Sequence, residues 1–225
     1  MTFSISARCA RTGRFGIAVS SSSPCVAARC AHARAGVGAV ATQNITDPTL
    51  GPRGLDLMAS GLSAPEALAR LRAEGAHIDY RQIALVDAAG RTAGFSGART
   101  LGTHIIAEGP GVVAAGNLLS STRVPQAMVD AFAAALDDPL GDRLLAAMKA
   151  ALDAGGEEGP VHSVGMLIVD EVAWPVADLR IDWHETDPIG ALAELWELWK
   201  PQMDAYVTRA LDPSTAPSYG VPGDE

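Results

Sequence analysis

Polar and apolar residues alternate without a break from Thr2 to Arg8. Phe3, Ile5 and Ala7 fall on one face; Thr2, Ser4, Ser6 and Arg8 fall on the other. A period of two is the signature of a half-buried strand. Arg11-Thr12-Gly13 then supplies a turn, with Gly13 free to take a positive φ. Phe15, Ile17 and Val19 alternate with Gly16, Ala18 and Ser20. The chain therefore opens on a β-hairpin. The second strand carries small residues on one face, which lets another backbone or a ligand come close.

The rest of the pattern brings strands in short-turn groups and helices in pairs. Residues 20–23, four serines before Pro24, read as a loop, and residues 36–42 as a buried third strand ending at Gln43-Asn44. Pro52 starts a helix that stops at Gly61. Ser63 caps a second, Glu66 completes a capping box, and Gly75 ends it. A hairpin is expected over residues 82–96, turning at Ala88-Ala89-Gly90, then strands over 103–107 and 111–116. Helices over 123–136 and 139–153 precede strands over 164–169 and 174–183. A last helix over 188–210 carries Ile189, Leu192, Trp196, Trp199, Met203 and Tyr206 at helical spacing. Strands joined by short turns are antiparallel, and paired helices can cover both faces of such a stack. The expectation is a layered α/β fold of the α+β type, not a doubly wound parallel sheet. One domain spans 1–211, followed by a loose, Pro- and Gly-rich tail, 212–225.

Composition removes several function classes. The chain of 225 residues is long enough for one sizeable core. Its 48% hydrophobic content against 5% aromatic makes that core aliphatic. A net charge of -9 argues against a surface built to neutralise phosphates, so neither nucleic acid nor an anionic membrane surface is an expected partner. No apolar run reaches the roughly 18 residues of a membrane span. The opening residues lack a basic segment followed by an apolar one, so no signal peptide is expected. Cys9, Cys25 and Cys30 fit no zinc or redox spacing, which points to a reduced, cytoplasmic setting. His184, Glu185 and Asp187 cluster without an i, i+4 histidine pair. They read as a polar helix start capped by Thr186 or Asp187, and no metal site is expected. No Gly-rich phosphate motif is present, so no cofactor is expected.

Thr2 is the position with most chemistry. Methionine is commonly trimmed before a small second residue. Trimming would place the Thr2 hydroxyl beside its own α-amine, whose ordinary pKa of about 7.7–8.0 leaves much of it free as a base near neutrality. Nucleophile and base would then come from one residue. The bland alternative is that the chain simply begins Met-Thr. Amide donors for an oxyanion could come from Asn117, in a Gly-Asn turn at a strand end, or from Gln43 and Asn44 at another. Each could instead satisfy nearby loop backbone. Arg53 could clamp a substrate carboxylate or form a structural ion pair. Ser20 and Ser22 alternate from the small face of the hairpin and could line a pocket; otherwise they are turn serines.

Residues 2–8 and 12–20 resemble the opening hairpin of N-terminal-nucleophile (Ntn) hydrolases such as proteasome subunits. The chain to about residue 200 resembles a family of unknown function, DUF1028. The resemblance rests on Ala35-Gly36-Val37-Gly38-Ala39-Val40-Ala41-Thr42-Gln43, Gly51-Pro52-Arg53-Gly54-Leu55 and Gly116-Asn117-Leu118-Leu119. It implies an Ntn-hydrolase-like, four-layer αββα sandwich of two antiparallel sheets between helical layers. It also implies an amide-bond hydrolase acting on a small-molecule amide. Proteasome-type sites place an acid and a lysine after the second strand. Here that stretch is 20–23, and the only lysines are Lys149 and Lys200. Two rivals remain: a non-catalytic binding module on the same fold, or a hydrolase with another nucleophile, such as Cys9, Cys25 or Cys30 paired with His32, His104 or His162. The last helix, with two tryptophans and a methionine, offers either core or a homo-oligomer contact.

Overall fold

A computed structural model describes residues 1–223. The opening hairpin has β1 (Thr2–Arg8) antiparallel to β2 (Phe15–Ser21), with Phe3 opposite Ser20 and Arg8 opposite Phe15. Gly13 holds a φ of +76° at the turn. A one-turn α1 (Ala27–Cys30) and a short β3 (Ala31–Arg34) follow, then β4 (Gly38–Asn44), α2 (Leu50–Ala59) and α3 (Ala64–Glu74). The chain continues through β5 (Arg81–Asp87), β6 (Thr92–Ser96), β7 (Ile105–Gly109), β8 (Val112–Asn117), α4 (Val124–Ala134) and α5 (Leu140–Asp153). It closes with β9 (Ser163–Val169), β10 (Ala177–Ile181), α6 (Pro188–Trp199) and α7 (Met203–Leu211).

Every strand pair is antiparallel. One sheet runs β10-β9-β2-β1-β8-β7 and the other β3-β4-β5-β6. Helices α4, α5 and α6 cover the outer face of the first sheet; α2 and α3 cover that of the second. The result is a four-layer αββα sandwich, as the family resemblance implies. Leu144, Phe132 and Trp196 pack with Phe3 and Ile5 under the first helical layer. Leu55, Leu68 and Leu71 pack on Val40 and Leu85 under the second. Between the sheets lie Ile17, Ala41, Ala84, Val113 and Ala115, with Phe15, Ala39, Val86 and Val169 beside them.

One expectation changes in a way that matters for the site. The period-two pattern of β1 suggests a polar face in water, yet Thr2, Ser4 and Ser6 are as buried as Phe3 and Ile5. The second sheet covers that face, so alternation here separates two interior layers. Two other differences are local. The expected helix over 188–210 breaks after Trp199, because Pro201 has no N–H to donate and its ring crowds the preceding turn. The strand expected from 174 begins only at Ala177. The expected capping box is present: the Ser63 backbone N–H donates to Glu66 at 2.8 Å and the Ser63 hydroxyl accepts from the Glu66 N–H. Asp187 caps α6, accepting from the Gly190 N–H at 2.8 Å.

Trp196 is core. Its ring lies against Gly141, where an added Cβ would stand 2.3 Å from it, so glycine sets how closely α5 and α6 cross. Trp199 stacks on Tyr206 at 5.0 Å. In the expected tail, the carbonyl of Pro217 accepts from Arg209 at 3.0 Å; Asp224 and Glu225 lie outside the described residues. Among the described residues no helix is long and apolar enough to cross a membrane.

Candidate functional site

The space between the sheets is apolar through most of its length and polar at one end. There β1 and β5 begin and β2, β4, β6 and β8 end, so six strand termini bring hydroxyls and amides together. Thr2 stands opposite Asn117 on β8. On its other side is Ser21 of β2. The Thr2 hydroxyl donates to the Met1 carbonyl and lies 3.4 Å from the Ser21 hydroxyl. Ser21 donates to the same Met1 carbonyl at 2.5 Å. Two hydroxyls thus converge on one carbonyl oxygen at the start of a central strand. With Met1 in place, Thr2 is 6% exposed.

Behind Thr2 runs a buried chain of side-chain amides that ties the two sheets. Ser4 donates to Gln43 Oε1 at 2.7 Å, and Gln43 Nε2 donates to Gln82 Oε1 at 2.8 Å. Gln82 Oε1 also accepts from Asn117 Nδ2 at 3.1 Å. Gln82 Nε2 donates to the Ser96 hydroxyl and the Gly116 carbonyl, both at 2.9 Å. Fully buried amides survive only when their donors and acceptors are matched. Here the matching fixes the Asn117 side chain next to Thr2.

Glu157 completes the site. It follows the turn at Gly155-Gly156, pairs with Leu119 through an isolated bridge, and is 5% exposed. Its Oε2 accepts from the Ser22 N–H at 3.1 Å, while Oε1 is buried without a hydrogen-bond partner. Burial pushes the carboxyl up to about 7, against the opposing pull of the Met1 α-amine and the Ser22 N–H. The folded pKa is raised above the ordinary 4.5, so the folded chain keeps this proton when the unfolded chain has lost it. The contribution to stability therefore falls as pH rises from 4.5 to about 7 and stays low above that. The ceiling on that cost is on the order of 3 kcal/mol. Glu157→Gln is expected to raise Tm by roughly 5 °C at pH 8, with the gain shrinking towards nothing near pH 4.5. An equal gain at both pH values in a thermal melt would contradict this account.

The sequence-derived candidates do not all meet here. Thr2, Asn117 and Gln43 do. Ser20, opposite Phe3, points to the helical side and donates to the Ser163 carbonyl at 3.0 Å. Parity decides this: Ser21, not Ser20, shares the Thr2 face. Ser22 brings its backbone N–H, through Glu157. Asn44 takes the loop role, with a φ of +74°, donating to the Tyr80 carbonyl at 2.6 Å and accepting from the Leu101 N–H at 3.3 Å. Arg53 lies on the outer surface of α2, paired with Glu74 at 3.4 Å. Of the lysines, Lys200 pairs with Asp142 at 2.8 Å, and Lys149 lines a groove between α5 and α6. Cys9 and Cys30 are buried and Cys25 is exposed. The rings of His32, His104 and His162 bond to the carbonyls of Arg29, Gly102 and His184.

Ser4, Ser21, Gln82 and Glu157 are site residues the sequence reading did not select. Ser4 shares a strand face with Thr2, and the hairpin register yields Ser21 once the turn is fixed. Gln82 and Glu157 carry no comparable signal.

A family model described as a family of unknown function, DUF1028, matches residues 2–192. A crystal structure of a protein from Silicibacter pomeroyi, carrying the same family model, is 31% identical; the match covers 88% of each chain with a TM-score of 0.81. The structure of Anbu, an ancestral beta-subunit from Yersinia bercovieri, is 11% identical over 91% of this chain and 97% of its own, with a TM-score of 0.38. A likeness that faint supports no inference. No curated protein matches the chain. Matched over most of its length, with a crystal structure from the same family sharing its fold, the chain belongs to the DUF1028 family.

Proposed function

We propose that the chain is an Ntn-type amidohydrolase that cleaves a small amide or peptide-like bond, with Thr2 as nucleophile once the bond before Thr2 has been cut. One observation carries the reading: a carbonyl oxygen sits between the hydroxyls of Thr2 and Ser21 at the start of a central strand. With the preceding residue gone, the α-amine of Thr2 is the base. It takes the Oγ1 proton as Oγ1 bonds to the substrate carbonyl carbon. Charge gathers on the carbonyl oxygen, where the Ser21 hydroxyl is a donor. Asn117 is the second donor, since its amide nitrogen carries two hydrogens and gives one to Gln82. Collapse breaks the C–N bond, and the ammonium gives its proton to the leaving amine. Water, deprotonated by the same amine, then cleaves the ester and frees the acid. No lysine enters this scheme.

A second reading has its own support. Thr2 is almost fully covered while Met1 is present, so a chain that keeps Met1 is suited to binding rather than cleavage. The test is to quench the untagged protein during incubation with a panel of chromogenic amides and map any acyl adduct by peptide mass spectrometry. An adduct on the peptide that begins with Thr2 is expected. Turnover with the adduct on the Cys25 peptide would sink the Thr2 mechanism, and absence of turnover across the panel would favour the binding module.

A further inference from the structure

The group that fills the acyl side of the site is Met1 itself, an aminoacyl group with a free α-amine. An acyl group on the Thr2 nitrogen and one on Thr2 Oγ1 hang from atoms of the same residue, related through a five-membered ring. The surroundings of Met1 therefore approximate those of an acyl group carried by the nucleophile. On one side, Met1 Cε lies 3.1 Å from the point where a Cβ on Gly159 would stand, so a backbone without a side chain makes room there. On another side is Glu157.

Nothing in the protein's own side chains accounts for Glu157. It is 5% exposed, and among the described residues no arginine or lysine pairs with it. The positive charge that acts on it comes from the Met1 α-amine. Oε1 is left without a partner. A buried carboxylate with no cation is costly, and such groups are normally paired. This one is also held firmly in place. The Ser22 N–H fixes Oε2, and Leu118 and Glu158 are joined by a backbone bond of 3.0 Å. The Ser120 N–H reaches the Gly156 carbonyl at 3.1 Å.

Building on the Thr2 reading, we propose that Glu157 is a cation-recognising group on the acyl side of the site and that the substrates are amides whose acyl part carries a free ammonium, as in an unblocked aminoacyl group. Oε1 then gains the charged donor it lacks when the substrate ammonium is bound.

The test compares L-alanine p-nitroanilide with its N-acetyl form, in the wild type and in Glu157→Gln. The wild type is expected to favour the free amine in kcat/KM, and that preference is expected to fall at least about tenfold in Glu157→Gln, the range of a charged hydrogen bond. A wild-type preference for the acetylated form, or a preference ratio unchanged in the variant, would overturn the proposal. Calorimetric binding of L-alaninamide and N-acetyl-L-alaninamide to Thr2→Ala, with and without Glu157→Gln, separates recognition from chemistry. Discrimination that depends on Glu157 without turnover keeps the recognition site and removes the hydrolase reading. Turnover without discrimination does the reverse. Neither turnover nor discrimination removes both.

Discussion

Thr2→Ala is expected to lower amide hydrolysis by roughly 10³-fold or more, because it removes the atom that bonds to the substrate carbonyl. Thr2→Ser keeps both a hydroxyl and the neighbouring α-amine, so measurable turnover is expected to survive. The pair separates chemistry from folding. Both variants lose or alter the contact with Ser21 and keep the pairing of β1 with β2 and β8, so their melts are expected to stay close to each other. Activity retained by Thr2→Ala on the substrate cleaved by the wild type would end the Thr2 mechanism. Loss in both variants together with a lowered melt would point to Thr2 as a structural residue.

Gln82→Leu is expected to cause the largest loss of stability among the substitutions considered. Gln82 is fully buried, and its two amide atoms serve four partners: Gln43 Nε2, Asn117 Nδ2, the Ser96 hydroxyl and the Gly116 carbonyl. Leucine fits the volume and satisfies none of them. Each orphaned buried polar group costs about 1–3 kcal/mol, and partial relaxation brings the total to roughly 3–5 kcal/mol. At about 2–4 °C per kcal/mol for a chain of this size, Tm is expected to fall by on the order of 10 °C. Turnover is expected to fall as well, because Gln82 orients Asn117. A shift under about 2 °C in a thermal melt would show that the amide chain contributes little to holding the sheets together.

Much of the fold was legible because it rests on local patterns. Alternation in 2–8 and 15–20, the turn at Gly13 and the Ser63–Glu66 capping box are short-range signals, and each is present where expected. The missed pieces depend on distant context. Whether the polar face of β1 meets water or a second sheet is not encoded in β1. The break between α6 and α7 was visible in Pro201, but helical spacing on either side outweighed it. The site was half legible. Thr2, Gln43 and Asn117 stood out as a nucleophile and strand-end amides. The small face of β2 points to Ser20, yet that face packs on the helices, with Gly16 against Leu140 and Leu144, and it is Ser21 on the opposite face that reaches the site. Gln82 and Glu157 acquire meaning only when strand ends from both sheets meet. A lone glutamate beside glycines reads as a solvated loop acid, yet here the turn carries it inside.

The proposed mechanism requires Thr2 to be a free N-terminal residue with a working hydroxyl. The intact mass of the purified, untagged protein tests this first. A mass lighter by one methionine residue is expected, which frees the Thr2 amine. Met1 retained on essentially all molecules would contradict it and leave the fold as a binding module or the scaffold of another nucleophile.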